Sequence, residues 1–389
     1  MAMTAPRFQQ PRSAYVHVPF CGHRCGYCNF TLVAGRTDLI EAFLEALARE
    51  LSWLAGPHPI DTLYVGGGTP TELSPRQLER LFELLQGCFT LGSQAEFSVE
   101  ANPTDLSGEK TKLFRDSAVN RISLGVQSFD ASKLAVLERN HRRSDIERAN
   151  SEARSAVDAV SFDLIFAAPG ESLAVWQMDL ELAQRLQPDH VSTYGLTYER
   201  GARFWSLLQK QTLQQIDESV EQRMYEMAID RLTELGYEQY EISSFAQPGR
   251  RCRHNEAYWT GRTYFGVGPG AARHVSGRRE LNHRSTTTYL RRVLAGESPT
   301  AETESLSPRA AARERLLFGL RTMDGVDRTQ FAAETGYLVE SLIGDSLDEL
   351  SAGGWIKNSD GRTRLTRTGM LLCDSICERL LDPRYVDDS

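Results

Sequence analysis

An α/β fold of six parallel βαβ units is predicted, followed by an α+β extension and a small winged-helix-like C-terminal domain. Three observations predict it. Short apolar runs alternate with amphipathic segments from Ala14 to Leu196, the pattern of parallel strands joined by crossover helices. Next, a long amphipathic segment, Ser219–Leu235, leads into β-like alternation over Gly236–Ser243, and a polar break at Glu297–Pro308 closes that stretch. From Arg309 the chain reads as helices, with a short β-wing at Lys357–Leu365 and a last helix near Thr368–Leu381. The expected limits are 1–200, 201–300 and 301–389, and 389 residues suffice for that many cores.

Taken in order, residues 1–13 are polar, carry two prolines and read as a loose leader. The candidate strands are Ala14–Val18, Asp61–Val65, Ala95–Glu100, Ile122–Val126, Ser161–Phe166 and His190–Leu196. Leu39–Leu54, Pro75–Leu85 and Asp145–Val157 are helical by their apolar spacing. Hydrophobic content of 41% and charged content of 25% are those of a soluble globular protein. A net charge of −8 gives no electrostatic drive towards nucleic acid or anionic membrane, although Arg139–Arg143 is a local basic run. No stretch approaches the ~20 apolar residues of a transmembrane segment. The N-terminus has no apolar signal core, so a cytoplasmic location is expected. Seven cysteines, three of them on one loop, fit a reducing compartment better than a disulfide framework.

That loop, Cys21-Gly-His-Arg-Cys25-Gly-Tyr-Cys28, leaves the first strand. A [4Fe–4S] cluster normally takes four thiolates, so three would leave one iron open to another ligand. A closed zinc site is the alternative, with His17 or His23 as the fourth ligand. Gly66-Gly67-Gly68-Thr69-Pro70 follows the second strand and either admits a ligand close to the backbone or simply turns. Glu100-Ala-Asn-Pro103 ends the third strand with a carboxylate, or with a plain Asn-Pro turn. Arg139, in a helix-like segment, offers a fork that matches a carboxylate, or is a solvated charge. Asp163 is an acid inside an apolar strand and needs a partner or a ligand. His254-Asn-Glu-Ala-Tyr258-Trp259 sets an imidazole beside two aromatics, which suits haem iron or ordinary packing. Tyr194 and Tyr198 border a flat ligand or pack in the core. Tyr264–Ala272 is glycine-rich without the Gly-x-Gly-x-x-Gly spacing, so no nucleotide fingerprint follows. Cys88, and Cys373 with Cys377 four residues apart among leucines, read as structural thiols. An acidic tail and a weak basic stripe argue against DNA as a partner of the winged-helix-like domain.

Cys-x3-Cys-x2-Cys behind a first strand resembles the radical S-adenosylmethionine (SAM) superfamily. Tyr15-Val-His-Val-Pro-Phe-Cys21 narrows the resemblance to the oxygen-independent coproporphyrinogen III oxidase family and its haem-chaperone relatives. Two places after the third cysteine the oxidase branch carries a further Cys, whereas the haem-chaperone branch, of HemW type, carries Phe. Here the residue is Phe30. The resemblance implies a partial (β/α)6 radical SAM barrel with its chemistry at the C-terminal ends of the strands. It implies that Cys21, Cys25 and Cys28 hold a [4Fe–4S] cluster. The open iron then binds SAM, and an electron from the cluster cleaves the sulfonium to a 5′-deoxyadenosyl radical. It sets Tyr15, Gly66, Gly67, Gly68, Thr69, Glu100, Gln127, Arg139 and Asp163 against SAM, and His254, in His-Asn-x-x-Tyr-Trp, against haem. Relatives carry His or Ser shortly after a Gly-x-Gly-x-Gly-Ala segment; Ala272-Arg273-His274 stands here, so that role does not transfer. The implied function is a haem chaperone that hands haem to acceptor proteins, including respiratory enzymes at the membrane. The alternative is an oxidase that decarboxylates two propionates of coproporphyrinogen III. Phe30 and the short segment before Tyr15 favour the chaperone.

Overall fold

The structure, a computed structural model, describes residues 10–381. Residues 1–9 of the expected leader and the acidic 382–389 stretch lie outside the described residues. Of the rest of that leader, Arg12 is tied to Asp61 by two hydrogen bonds of 2.6 and 3.1 Å, and Ser13 already belongs to the first strand.

Six parallel strands form the centre of one large sheet: β1 (Ser13–Val18), β2 (His58–Gly67), β3 (Phe89–Ala101), β4 (Arg121–Gln127), β5 (Ala159–Phe166) and β6 (His190–Gly195). All six expected strands are present. β2 and β3 start earlier than expected because His58–Ile60 pairs with Phe89–Leu91, ahead of the polar, glycine-containing Gly92–Gln94. Period-two geometry then sorts the side chains. In β4, Ile122, Leu124 and Val126 are fully buried, while Arg121, Ser123, Gly125 and Gln127 face a cavity. In β5, Val160, Phe162 and Leu164 are buried in the hydrophobic core and Ser161 and Asp163 face the cavity.

The outer helices explain themselves locally. Pro75–Cys88 starts with a capping box, in which Ser74 and Gln77 each accept from the other's backbone N–H, and with Pro75 in the first turn. Its Leu78, Leu81, Phe82 and Leu85 make one buried stripe against the sheet. Truncating any one of these leucines to Ala would cost about 2–5 kcal/mol. Arg139 is not helical as expected: it lies in the connection between helices Ala131–Val136 and Arg143–Arg154. Of the basic run, Arg142 and Arg143 are exposed, with Arg143 paired to Glu147. Arg139 turns inward, and His141 is buried with Nε2 2.8 Å from the Val126 carbonyl.

The extension continues the same sheet on both edges. On one side β7 (Glu238–Gln239) and β8 (Ser244–Ala246) are antiparallel to each other, and β8 pairs with β6. The strand expected over 236–243 is thus broken, because the chain turns at Glu241–Ser244 and the Tyr240 N–H bonds the Ser244 carbonyl. On the other side β9 (Tyr264–Val267) runs parallel to β1, followed by β10 (Ala272–Val275), β11 (Arg278–Asn282) and β12 (Thr300–Ser305). β12 lies inside the expected polar break; its Glu304 faces Arg279 of β11 and pairs with it at 3.3 Å. Met224, Tyr225, Phe245, Phe265 and Tyr289 share the barrel's hydrophobic core, so the extension builds none of its own. Asn282 and Tyr289 both donate to the buried Glu50, at 2.7 and 2.6 Å.

Residues 308–381 have a separate core that includes Leu316, Leu320, Phe331, Leu347 and Ile376. A three-stranded antiparallel sheet of β13 (Val326–Asp327), β14 (Ile356–Ser359) and β15 (Arg362–Leu365) supplies the wing, with β15 in the middle. The expected single last helix is two, Arg367–Leu371 and Cys373–Leu381, separated by Leu372 at φ −110°. This break brings residues 370–375 to the mouth of the barrel. Cys88 and Cys373 are buried, and Cys373 also reaches the cavity wall.

Candidate functional site

A cavity of about 1220 Å3 opens at the C-terminal ends of the strands and takes in Cys21, Cys25 and Cys28. The Cys28 N–H bonds the Cys25 carbonyl at 3.1 Å, Cys21 Sγ lies 3.2 Å from Thr69 Oγ1, and an Arg139 amino group lies 3.7 Å from Cys25 Sγ. Burial pushes the Cys21 thiol up to about 12, opposed by the Thr69 hydroxyl, and raises Cys28 as well. Thiolates here therefore need a cationic partner. Of the two histidines of the zinc reading, buried His17 is already engaged, while exposed His23 makes only a long contact. His17 engages Tyr15 Oη at 2.9 Å and the Thr31 carbonyl at 2.6 Å, and His23 lies 3.9 Å from Glu138. Among the described residues no three His, Cys, Asp or Glu converge on a single-ion site. Three thiols without a fourth protein ligand, beside a buried Arg139 Nε that has no hydrogen-bond partner, fit a larger group with one open position.

Tyr15, Gly67, Gly68, Thr69, Glu100, Gln127, Arg139 and Asp163 line the same cavity. Gly66 does not, but a side chain there would lie 2.7 Å from the Glu100 carboxyl carbon, so its absence leaves the carboxylate its room. Gly67 has φ +115°, and its N–H donates to Glu100 Oε2 at 2.9 Å. The N–H groups of Gly68 and Thr69 bond the carbonyls of Val18 and Phe20. With these donors used internally, the loop offers a ligand acceptors rather than donors. Glu100 Oε1 accepts from Tyr64 Oη at 2.9 Å, and Asp163 Oδ2 accepts from Ser123 Oγ at 3.0 Å. Burial raises Glu100 to about 7, helped by the negative charge of Asp163, and raises Asp163 to about 6. This is a site poised for a cation. Arg139 donates to Asn102 Oδ1 at 2.6 Å and to the Gly125 carbonyl at 3.1 Å, while Asn102 Nδ2 donates to Thr69 Oγ1 at 3.1 Å.

His254 also lines the cavity, with both ring nitrogens engaged: Nδ1 with Thr62 Oγ1 at 2.9 Å and Nε2 with Tyr258 Oη at 3.0 Å. Its ring stacks on Tyr64, and burial lowers it to about 3, so it is neutral. Iron ligation would require breaking one of these bonds, so here the imidazole is a buttress of the wall. Trp259 faces away from the cavity, packed on Phe318 with Arg321 over its ring. Of the two tyrosines after β6, Tyr194 lines the cavity, and Tyr198 packs with Leu137 and Phe204 in a small core of its own.

A sequence profile of the Radical SAM superfamily matches residues 15–183, and one of the HemN C-terminal domain matches 306–372. The chain is 34% identical over 370 residues to "Heme chaperone HemW" of Bacillus subtilis (strain 168), covering 94% of this chain and 98% of that protein. It belongs to the HemW family of radical SAM proteins. A second family member, from Lactococcus lactis, is 35% identical over 96% of this chain and 98% of its own. A mitochondrial radical S-adenosyl methionine domain-containing protein 1 from Danio rerio is 33% identical, over 95% of this chain and 86% of that protein. The solved structure of coproporphyrinogen III oxidase (HemN) from Escherichia coli superposes with a TM-score of 0.84 over 96% of this chain and 90% of that one. At 22% identity that likeness speaks for the fold alone.

The site also contains residues that sequence reasoning passed over. Asn102 reads as part of an Asn-Pro turn, yet it links Arg139 to Thr69. Tyr64 and Ser123 hold the two carboxylates. Their alternation with buried Leu63, Val65, Ile122 and Leu124 was the available signal.

Proposed function

We propose that this chain is a cytoplasmic haem chaperone. Cys21, Cys25 and Cys28 hold a [4Fe–4S] cluster; the Gly66–Gly68 loop, Tyr15, Thr69, Glu100, Gln127, Arg139 and Asp163 hold SAM; the mouth of the same cavity holds haem, which passes to acceptor proteins such as membrane respiratory enzymes. One observation carries the reading: a single cavity joins the three thiols to an open apolar mouth where Phe30, Tyr194 and Leu372 are 69%, 45% and 39% exposed. The family of the chain supports it. A bound cluster supplies an iron with a free position and a single electron. Glu100 and the loop carbonyls accept from a ligand ammonium, Asp163 adds negative charge behind them, and the Arg139 fork receives a carboxylate. The oxidase reading has the shared fold and the HemN C-terminal domain match behind it, but Phe30 replaces the further cysteine of that branch. Among the described residues no helix is long and apolar enough to cross a membrane.

The deciding experiment is an anaerobic haem titration of the cluster-reconstituted protein, followed at the Soret band. Saturation at one haem per chain is expected; no saturable binding would overturn the reading. His254→Ala should weaken binding while leaving the Soret position in place, because its ring serves Thr62 and Tyr258. A shifted band in that variant would instead make His254 the iron ligand.

SAM affinity should depend on pH. Glu100, near 7, and Asp163, near 6, are protonated on the acid side and then offer less charge to a cation. Affinity should therefore fall as pH drops through about 7 towards 6, by up to about tenfold per unit for each proton taken up. Calorimetric titration at several pH values checks this, and Glu100→Gln should flatten the profile. A wild-type affinity independent of pH would remove Glu100 from the SAM site.

A further inference from the structure

Phe30 is an odd residue to find exposed. Loops that present apolar rings to solvent usually let them fold back, yet the backbone on either side of this one is pinned. Arg284 Nη2 donates to the Asn29 carbonyl at 2.6 Å and its Nε to Thr31 Oγ1 at 3.3 Å. Arg24 donates to the carbonyls of Cys28 and Leu32 at 3.3 and 2.7 Å, with a longer contact of 3.5 Å to that of Phe30. The Thr31 carbonyl is in turn held by buried His17. Neither arginine has a carboxylate partner among the described residues, although ion pairs abound elsewhere on this acidic chain. Both Phe30 and Arg284 line the large cavity.

An exposed aromatic ring on a pinned backbone, flanked by two cations without counter-charges, is complementary to a flat apolar ring bearing carboxylates at its edge. We infer that Phe30 is the stacking platform for the haem macrocycle and that Arg284, seconded by Arg24, anchors its propionates. The inference rests on the haem-chaperone reading and adds where the ligand sits: at the cluster-loop side of the mouth, away from His254. Volume agrees, because about 1220 Å3 exceeds what SAM alone requires of a drug-sized site. The same pairing explains why a large apolar side chain here is useful while exposed: its burial awaits the ligand.

The test titrates the cluster-reconstituted full chain with haem and, separately, with haem dimethyl ester, whose propionates carry no charge. Phe30→Ala should weaken both ligands at least about tenfold, through lost apolar contact. Arg284→Gln should weaken haem about tenfold and leave the ester unchanged, the mark of a charge-assisted bond to a carboxylate. Iron and sulfide content should stay at the wild-type level in both variants. If Arg284→Gln weakens haem and ester equally, Arg284 only braces the loop and the inference fails. If both variants bind haem like the wild type, haem lies elsewhere and the inference fails, while the chaperone reading stands. If the wild type itself shows no saturable binding, both fall together.

Discussion

Cys25→Ala should leave the anaerobically reconstituted protein without acid-labile sulfide or bound iron, and without the broad visible absorption of the cluster. The effect is large because two thiolates remain where three are the fewest that can hold the group. His17 is committed to Tyr15 and Thr31. The fold should survive the loss. The barrel core runs through Val16, Leu63, Val99, Ile122 and Phe162, all at most 1% exposed, and none of its packing depends on the cysteine loop. Thermal unfolding of the variant should therefore resemble that of the cluster-free wild type. Cys88→Ala, at a buried thiol outside the cavity, is the control that should retain a full complement of iron and sulfide. Unchanged iron and sulfide in Cys25→Ala would remove Cys25 from the metal site and reopen the choice of metal.

Much of this site is legible in the amino-acid sequence, and the reason is geometric. In a parallel α/β sheet the C-terminal ends of successive strands converge, so motifs scattered from Cys21 to Asp163 need only end their strands to meet. The cysteine loop, the glycine run, Glu100 and Gln127 all do. Less legible are side chains whose meaning depends on long-range pairing. Asn102 acquires its role only when Arg139 arrives from a loop that reads as helical. Thr300–Ser305 is a strand because it pairs with β11, where Arg279 lies opposite Glu304. His254 is the instructive case. Its motif is conspicuous, but whether the ring nitrogens are free depends on Thr62, which is 192 positions earlier in the chain.

The second large effect is expected at Lys133, which touches neither thiol nor carboxylate of the site. Its ammonium lies 2.5 Å from Glu171 Oε1 and 2.9 Å from Asp179 Oδ2, and 5.0 Å from the centre of the Trp176 ring, with all three charged side chains at most 3% exposed. Asp179 also accepts from Ser128 Oγ and from the Phe129 N–H, at 2.8 and 2.7 Å, and Ser128 follows Gln127 directly. The trio thus anchors the loop that turns Gln127, at φ +62°, into the cavity. Lys133→Met keeps most of the volume but strands two carboxylates against each other out of water, which should cost about 3–5 kcal/mol. Burial already raises Glu171, with Lys133 opposing that rise, so removing the cation raises it further. A carboxyl raised in the folded state destabilises most once pH exceeds its ordinary value. The deficit should therefore be largest at neutral pH and shrink as the medium is acidified towards about pH 5. Urea denaturation at the two pH values measures this, and the triple variant Lys133→Met, Glu171→Gln, Asp179→Asn should recover most of the loss. SAM affinity should fall in the single variant as the Gln127 loop loosens. A Lys133→Met protein with wild-type stability at neutral pH would mean that hydrogen bonds rather than the ion pairs hold the loop.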